Sequence, residues 1–174
     1  MAKFKIFLEE ILITVSLALI ISFLIQNFFL EPRIVPTGSM LPTIQINQRI
    51  LVNKLAYKMS SPKRGDVIVF KPPIETEDNS DFIKRVIGIG GDTVEVKNGL
   101  ILINGNAIEE NYLIEKPNYD FGPVTVPEDS LFVLGDNRNC SFDSHIWGQW
   151  LKIDNVKGKA FFTYWPLEYM GLLK

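Results

Sequence analysis

A chain of 174 residues with a formal net charge of −2 is long enough for one globular domain and lacks the basic surface a nucleic-acid partner needs. Its single cysteine, Cys140, excludes an internal disulfide framework, and its single histidine, His145, excludes a multi-histidine metal centre. All ten prolines and all twelve glycines fall after residue 30, so the chain divides into two regions with different surroundings.

The first region is an apolar helix. Ile11 to Leu30 is a run of twenty residues without a charge. At 1.5 Å per residue it spans roughly 30 Å, the thickness of a bilayer core. Its Thr and Ser hydroxyls can bond back to the helix backbone, which makes them tolerable in lipid. The run ends in bulky Phe28-Phe29-Leu30, whereas a removable leader ends in small residues after a shorter core. A retained transmembrane anchor over residues 11–30, closed by Glu31-Pro32, is the expectation. A buried helix of a soluble protein is the alternative, and Glu9-Glu10 lend it weight. Lys3, Lys5 and the amino terminus precede the span, which favours a cytoplasmic N-terminus and an exported C-terminal domain.

The second region, residues 31–174, reads as β. Short runs rich in β-branched and aromatic residues alternate with turn signals: Arg49–Asn53, Asp66–Phe70, Phe82–Gly88, Thr93–Lys97, Leu100–Ile103, Leu131–Leu134 and Lys159–Tyr164. Asn98-Gly99 predicts a two-residue hairpin, and Asn104-Gly105 a further turn. An all-β barrel, closed or partly open, or a sandwich accommodates this spacing. Residues 72–81 and 111–123 read as excursions from it. Lys54, Lys58, Lys63 and Arg64 form a loose basic cluster, read as a solvated surface or a lipid-headgroup contact.

Three stretches carry chemistry. In "PTGSMLPT", Ser39 sits beside Gly38 in a proline-stiffened loop nine residues past the apolar run. In "DFIKRVIGIGGD", strand alternation sends Phe82, Lys84 and Val86 to one face and Ile83, Arg85 and Ile87 to the other. Each cation is then either snorkelling from a strand edge or held among apolar neighbours. Keeping a free lysine neutral at pH 7 costs roughly 4.6 kcal/mol, and burial can lower its pKa by about 3–5 units. A neutral amine could activate a serine hydroxyl without a histidine. In "GDNRNCSFDS", Asp136, Arg138, Ser141 and Asp143 form either a turn that satisfies its own backbone or a support for a site. Asp143 could pair with Arg85 or Arg138.

Taken together and in this order, these stretches resemble the nucleophile, lysine and supporting-loop boxes of bacterial-type type I signal peptidases. "FFTYWPLEYMGLL" near the end is similar to the family as well. The resemblance implies Ser39 as nucleophile and Lys84 as general base. It implies Ser141 as the residue that orients the lysine, with Asp136, Arg138 and Asp143 as scaffold and Arg85 in a supporting, stabilising place. The Ser39 N–H and the Thr37 hydroxyl would make the oxyanion hole, Thr37 standing where many members carry serine. His145 stands where members commonly carry arginine, which weakens the expectation of a salt bridge to Asp143. Cys140 is read as a packing residue.

The function so implied is a membrane-bound serine endopeptidase that removes signal peptides from exported preproteins, cutting after small residues spaced as Ala-x-Ala. Val35, Met40, Phe82 and Ile83 are the candidate pocket residues, and the peptide would add as a strand along Asp81–Val86. The partners are signal peptides and membrane lipid, with no nucleic acid, metal or cofactor. The implied location is the cytoplasmic membrane of a bacterium, crossed once, with the catalytic domain outside. Two rivals remain: an inactive membrane-anchored β module of the same family that binds a partner, and a Ser–His–Asp hydrolase using Ser39, Asp136 or Asp143, and His145. The second lacks the G-x-S-x-G elbow and alternating βα units.

Overall fold

The computed structural model describes residues 2–58, 60–77 and 79–173. The amino terminus and the Lys3 side chain, which enter the orientation argument, lie outside the description, as does Asp78 of the first excursion.

Helix α1 runs from Ala2 to Phe28, longer at its start than the apolar run alone predicts. Its 27 residues extend about 40 Å. The stretch Phe4–Gln26 is long and apolar enough to cross a bilayer, and none of it is buried against the rest of the chain. A largely apolar helix with no protein cover among the described residues fits a membrane-spanning segment, whereas a soluble-core helix would be mostly buried. Glu31-Pro32 does not close the helix. Phe29 alone separates α1 from strand β1, Leu30–Ile34, which contains both residues.

The remaining strands are β2 (Arg49–Asn53), β3 (Val67–Phe70), β4 (Phe82–Ile89), β5 (Thr93–Lys97), β6 (Leu100–Ile103), β7 (Asn106–Ala107), β8 (Phe121–Thr125), β9 (Ser130–Leu134), β10 (Leu151–Lys152), β11 (Val156–Trp165) and β12 (Gly171–Leu172). A short helix, α2 (Ser144–Trp147), precedes β10. A large curled sheet has the order β1-β2-β11-β3-β4-β9-β10, with β12 on β11. A smaller sheet has the order β7-β6-β5-β8. Its β5–β6 hairpin turns at Asn98 and Gly99, both with positive φ, as the Asn-Gly pair requires. The second excursion therefore ends in a strand, β8, that pairs with β5.

The alternation read in β4 holds. Phe82 and Val86 pack with Ile68, Phe70, Val133 and Trp147. Ile83 joins the cluster of Val35, Met40 and Ile50, and Ile87 joins the core between the sheets around Val94 and Ile101. Lys84 is 4% and Arg85 2% exposed, so neither snorkels. The alternation that buries the apolar residues on both sheet faces buries the cations too.

Candidate active site

The Ser39 loop lies over the junction of β4 and β9, where the strand ladder opens. Residues Phe82–Arg85 of β4 pair with β3, whereas pairing with β9 begins only at Arg85. Beyond that point the chain after β9 turns away as the loop 135–143. The free edge is thus limited to Phe82–Lys84, narrower than the Asp81–Val86 edge expected.

Lys84 projects from this open segment and its Nζ lies 2.6 Å from Ser39 Oγ. Burial is the largest influence on the amine and pulls its pKa down from 10.5 to about 8, against the nearby Asp143 and Asp136 carboxylates, which raise it. The Phe82 ring lies 5.5 Å from Nζ. Thr37 Oγ1 stands 3.5 Å from Ser39 Oγ, so the two hydroxyls and the amine form one contiguous group.

The loop after β9 holds the serine from behind. The Asn137 N–H donates to the Ser39 carbonyl at 3.0 Å, and Asn137 Nδ2 donates to the Gly38 carbonyl at 3.1 Å. A Cβ on Gly135 would collide with both the Ser39 carbonyl and Ser141 Oγ, so only glycine allows this approach. Ser141 Oγ is buried with no hydrogen-bond partner among the described residues. The orienting bond expected from Ser141 to the lysine is thus not made in this geometry.

Each of the expected scaffold residues has a definite partner. Asp136 accepts from Arg85 Nε at 2.8 Å and Nη2 at 2.6 Å, and from the Thr43 hydroxyl at 2.6 Å. Arg138 forms two bonds of 2.7 Å with Glu110 and a third to the Gly135 carbonyl. The Tyr112 ring covers the Arg85 guanidinium at 4.0 Å, and its hydroxyl donates to Glu110. Asp143 pairs with neither arginine. It takes the Gly135 N–H at 2.9 Å, caps α2 and meets His145 Nδ1 at 2.6 Å. His145 therefore makes a contact to Asp143. His145 also stacks on Tyr119 at 4.1 Å, and it is absent from the residues lining the Ser39 cleft, which leaves a Ser–His–Asp site without geometric support.

Two cavities flank the open edge. One, about 380 Å³, is lined by Thr37, Ser39, Phe82, Lys84, Cys140 and Phe142 among others. The second, about 350 Å³, is lined by Ile34, Val35, Ile50, Val69 and Asp81. Phe82 and Ile83 border both. Val35, Phe82 and Ile83 are therefore cavity-lining residues. Met40 is not: it is fully buried in the core with Val35 and Ile44. Cys140 is exposed at the cleft rather than packed. Thr43, Glu110, Tyr112 and Asn137 were not singled out in the sequence. Asn137 lies inside the GDNRNCSFDS loop; Thr43, Glu110 and Tyr112 act across the fold, and nothing local marks them.

The family model described as signal peptidase, peptidase S26, matches residues 8–165. Signal peptidase I of Leptolyngbya laminosa is 45% identical over 92% of this chain and 81% of its own length. The probable thylakoidal processing peptidase 2, chloroplastic, of Arabidopsis thaliana is 42% identical over 86% of this chain and 42% of its own. A crystal structure of a signal peptidase I from Enterococcus faecalis V583 is similar with a TM-score of 0.51 and 34% identity, covering 59% of this chain and 98% of that one. A buried lysine beside a loop serine, behind an apolar helix, thus sits in a chain that belongs to the signal peptidase family, peptidase S26.

Proposed function

We propose that this protein is a membrane-anchored serine endopeptidase that removes signal peptides from preproteins, with Ser39 as nucleophile and Lys84 as general base. The observation that carries this reading is the 2.6 Å contact between Lys84 Nζ and Ser39 Oγ in a buried setting. Once the amine is neutral, the Ser39 hydroxyl donates to it. As Oγ attacks the scissile carbonyl, its proton passes to Nζ. The Ser39 N–H and Thr37 Oγ1 then stabilise the oxyanion, each such donor contributing about 2.7–4 kcal/mol in comparable sites. Lys84 returns the proton to the departing amine, and water releases the acyl group from Ser39 by the same route.

Asp136, Arg138, Asp143 and Arg85 act as scaffold in this proposal, holding the loop that supports Ser39. Ser141 is a positioning residue whose buried hydroxyl has bonding capacity to spare. The cavities on either side of Phe82–Ile83 give an extended peptide two places for side chains at alternate positions, and in this proposal those positions carry the small residues of the Ala-x-Ala pattern. The inactive alternative has no supporting observation, since amine and hydroxyl stand in bonding contact. Lys3 and Lys5, ahead of the uncharged run of the helix, support a cytoplasmic N-terminus and a catalytic domain on the far side of the membrane, in this proposal the cytoplasmic membrane of a bacterium.

The test is cleavage of a preprotein by the full chain in detergent. Ser39→Ala and Lys84→Met are expected to lose activity while keeping the β-rich circular dichroism spectrum. Near wild-type cleavage by either folded variant would overturn the dyad.

A further inference from the structure

A cavity of about 410 Å³ lies away from the cleft, lined by Phe28, Lys54, Tyr57, Lys58, Val156 and Lys157. Phe28 is the last residue of α1. The Lys54 N–H donates to the Phe29 carbonyl at 3.0 Å, so this segment is tied to the helix end. Phe28 follows the apolar stretch Phe4–Gln26 by two residues, which is about 3 Å along the axis. The cavity therefore sits at the level where the hydrocarbon ends and headgroup phosphates begin. Three lysines and no acidic residue line it among the described residues. Lys157 shares its charge with Asp81 at 2.7 Å. Lys58 is exposed, and Tyr57 spends its hydroxyl on Asp66.

Cations gathered at that depth, beside an aromatic ring, match the phosphate and upper acyl chain of one lipid. We infer that Lys54, Lys58 and Lys157 bind the headgroup of an anionic phospholipid and so fix the domain against the membrane surface. The inference rests on reading α1 as a membrane anchor. Lys54 and Lys58 belong to the basic cluster of the sequence; Lys157 joins them only through the fold.

The experiment uses the full chain in mild detergent, titrated with phosphatidylglycerol or phosphatidylcholine, with bound lipid counted by native mass spectrometry. Each lysine near an anionic lipid contributes roughly fivefold at low salt, so Lys54→Gln/Lys58→Gln is expected to bind phosphatidylglycerol about thirtyfold more weakly. Lys97→Gln/Lys116→Gln, with lysines exposed on the small-sheet side, should bind as the wild type does. Wild-type cleavage of a soluble peptide by the Lys54/Lys58 variant shows that its fold is intact. Equal affinity for the two lipids, or undiminished binding by that variant, overturns the site. Inorganic phosphate that binds alone and displaces the lipid equally well overturns the lipid assignment. Release of the chain from membranes by alkaline extraction overturns the anchor itself; retention without lipid preference overturns only the lysine site.

Discussion

The Arg85 guanidinium and the Asp136 carboxylate meet through two parallel hydrogen bonds, with side-chain exposures of 2% and 0%. The pair ties β4, which carries Lys84, to the loop whose Asn137 holds Ser39. Breaking one partner of a buried pair leaves an uncompensated charge and costs about 3–5 kcal/mol. Arg85→Met and Asp136→Ala are each expected to lower chemical-denaturation stability by that amount. The double variant should recover part of the loss. An unchanged midpoint in either single variant would show that the pair does not hold the fold.

In the proposed dyad Lys84 sets the pH dependence. With a pKa of about 8, the amine is about one-tenth neutral at pH 7. The base must be neutral, so kcat/KM is expected to rise tenfold per pH unit below about 8 and to level off above it. Asp143 raises the lysine pKa, so Asp143→Asn should move this limb to lower pH in the fraction that folds. A limb fixed near 10.5, or one that moves upward in Asp143→Asn, would exclude Lys84 as the titrating base.

Thr37 tests the second oxyanion donor. Thr37→Val keeps the shape and removes the hydroxyl, and it is expected to reduce kcat by about 10²–10³-fold with little change in KM. Thr37→Ser should restore most of the rate. Equal activity in the valine variant would leave the Ser39 N–H as the sole donor.

Gly135 tests how closely the loop must approach the nucleophile. Gly135→Ala meets the Ser39 carbonyl and Ser141 Oγ, so activity should be lost. Adding Ser141→Gly relieves only the side-chain collision, and the double variant should remain inactive. Recovery of cleavage in the double variant would show that the Ser39 backbone can yield.

Ser141→Ala removes a buried hydroxyl that has no hydrogen-bond partner among the described residues. An unsatisfied buried hydroxyl costs about 1–3 kcal/mol, so this variant is expected to fold at least as stably as the wild type. A fall in kcat without loss of stability supports the positioning role. Unchanged kinetics would assign the residue to packing alone.

Much of this was legible in the chain, for reasons that are local. Asn98-Gly99 fixes a turn by its own backbone preferences, and the alternation in Phe82–Ile87 places Lys84 and Arg85 on opposite faces whatever surrounds them. The strand Leu30–Ile34 was hidden because Pro32 argues against sheet. It is tolerated because β1 is an edge strand with one unpaired side. Strand β8 was hidden in the same way by Gly122-Pro123. Which carboxylate meets which guanidinium was not legible at all. Arg138 chose Glu110 and Arg85 chose Asp136 because the small sheet brings the 108–113 segment, with Tyr112, over both cations. Met40 looked like a cleft residue from its neighbour Ser39, yet the loop turns its side chain into the core.

The junction at Phe29 gives the molecule a calliper. A single residue leaves little slack between the apolar helix and β1, the strand that leads into the Ser39 loop. With α1 read as the membrane anchor and Ser39 as the nucleophile, as proposed, the height at which a peptide is cut is set by the protein, and a substrate whose scissile bond is moved along its chain by a few residues is expected to be cut more slowly.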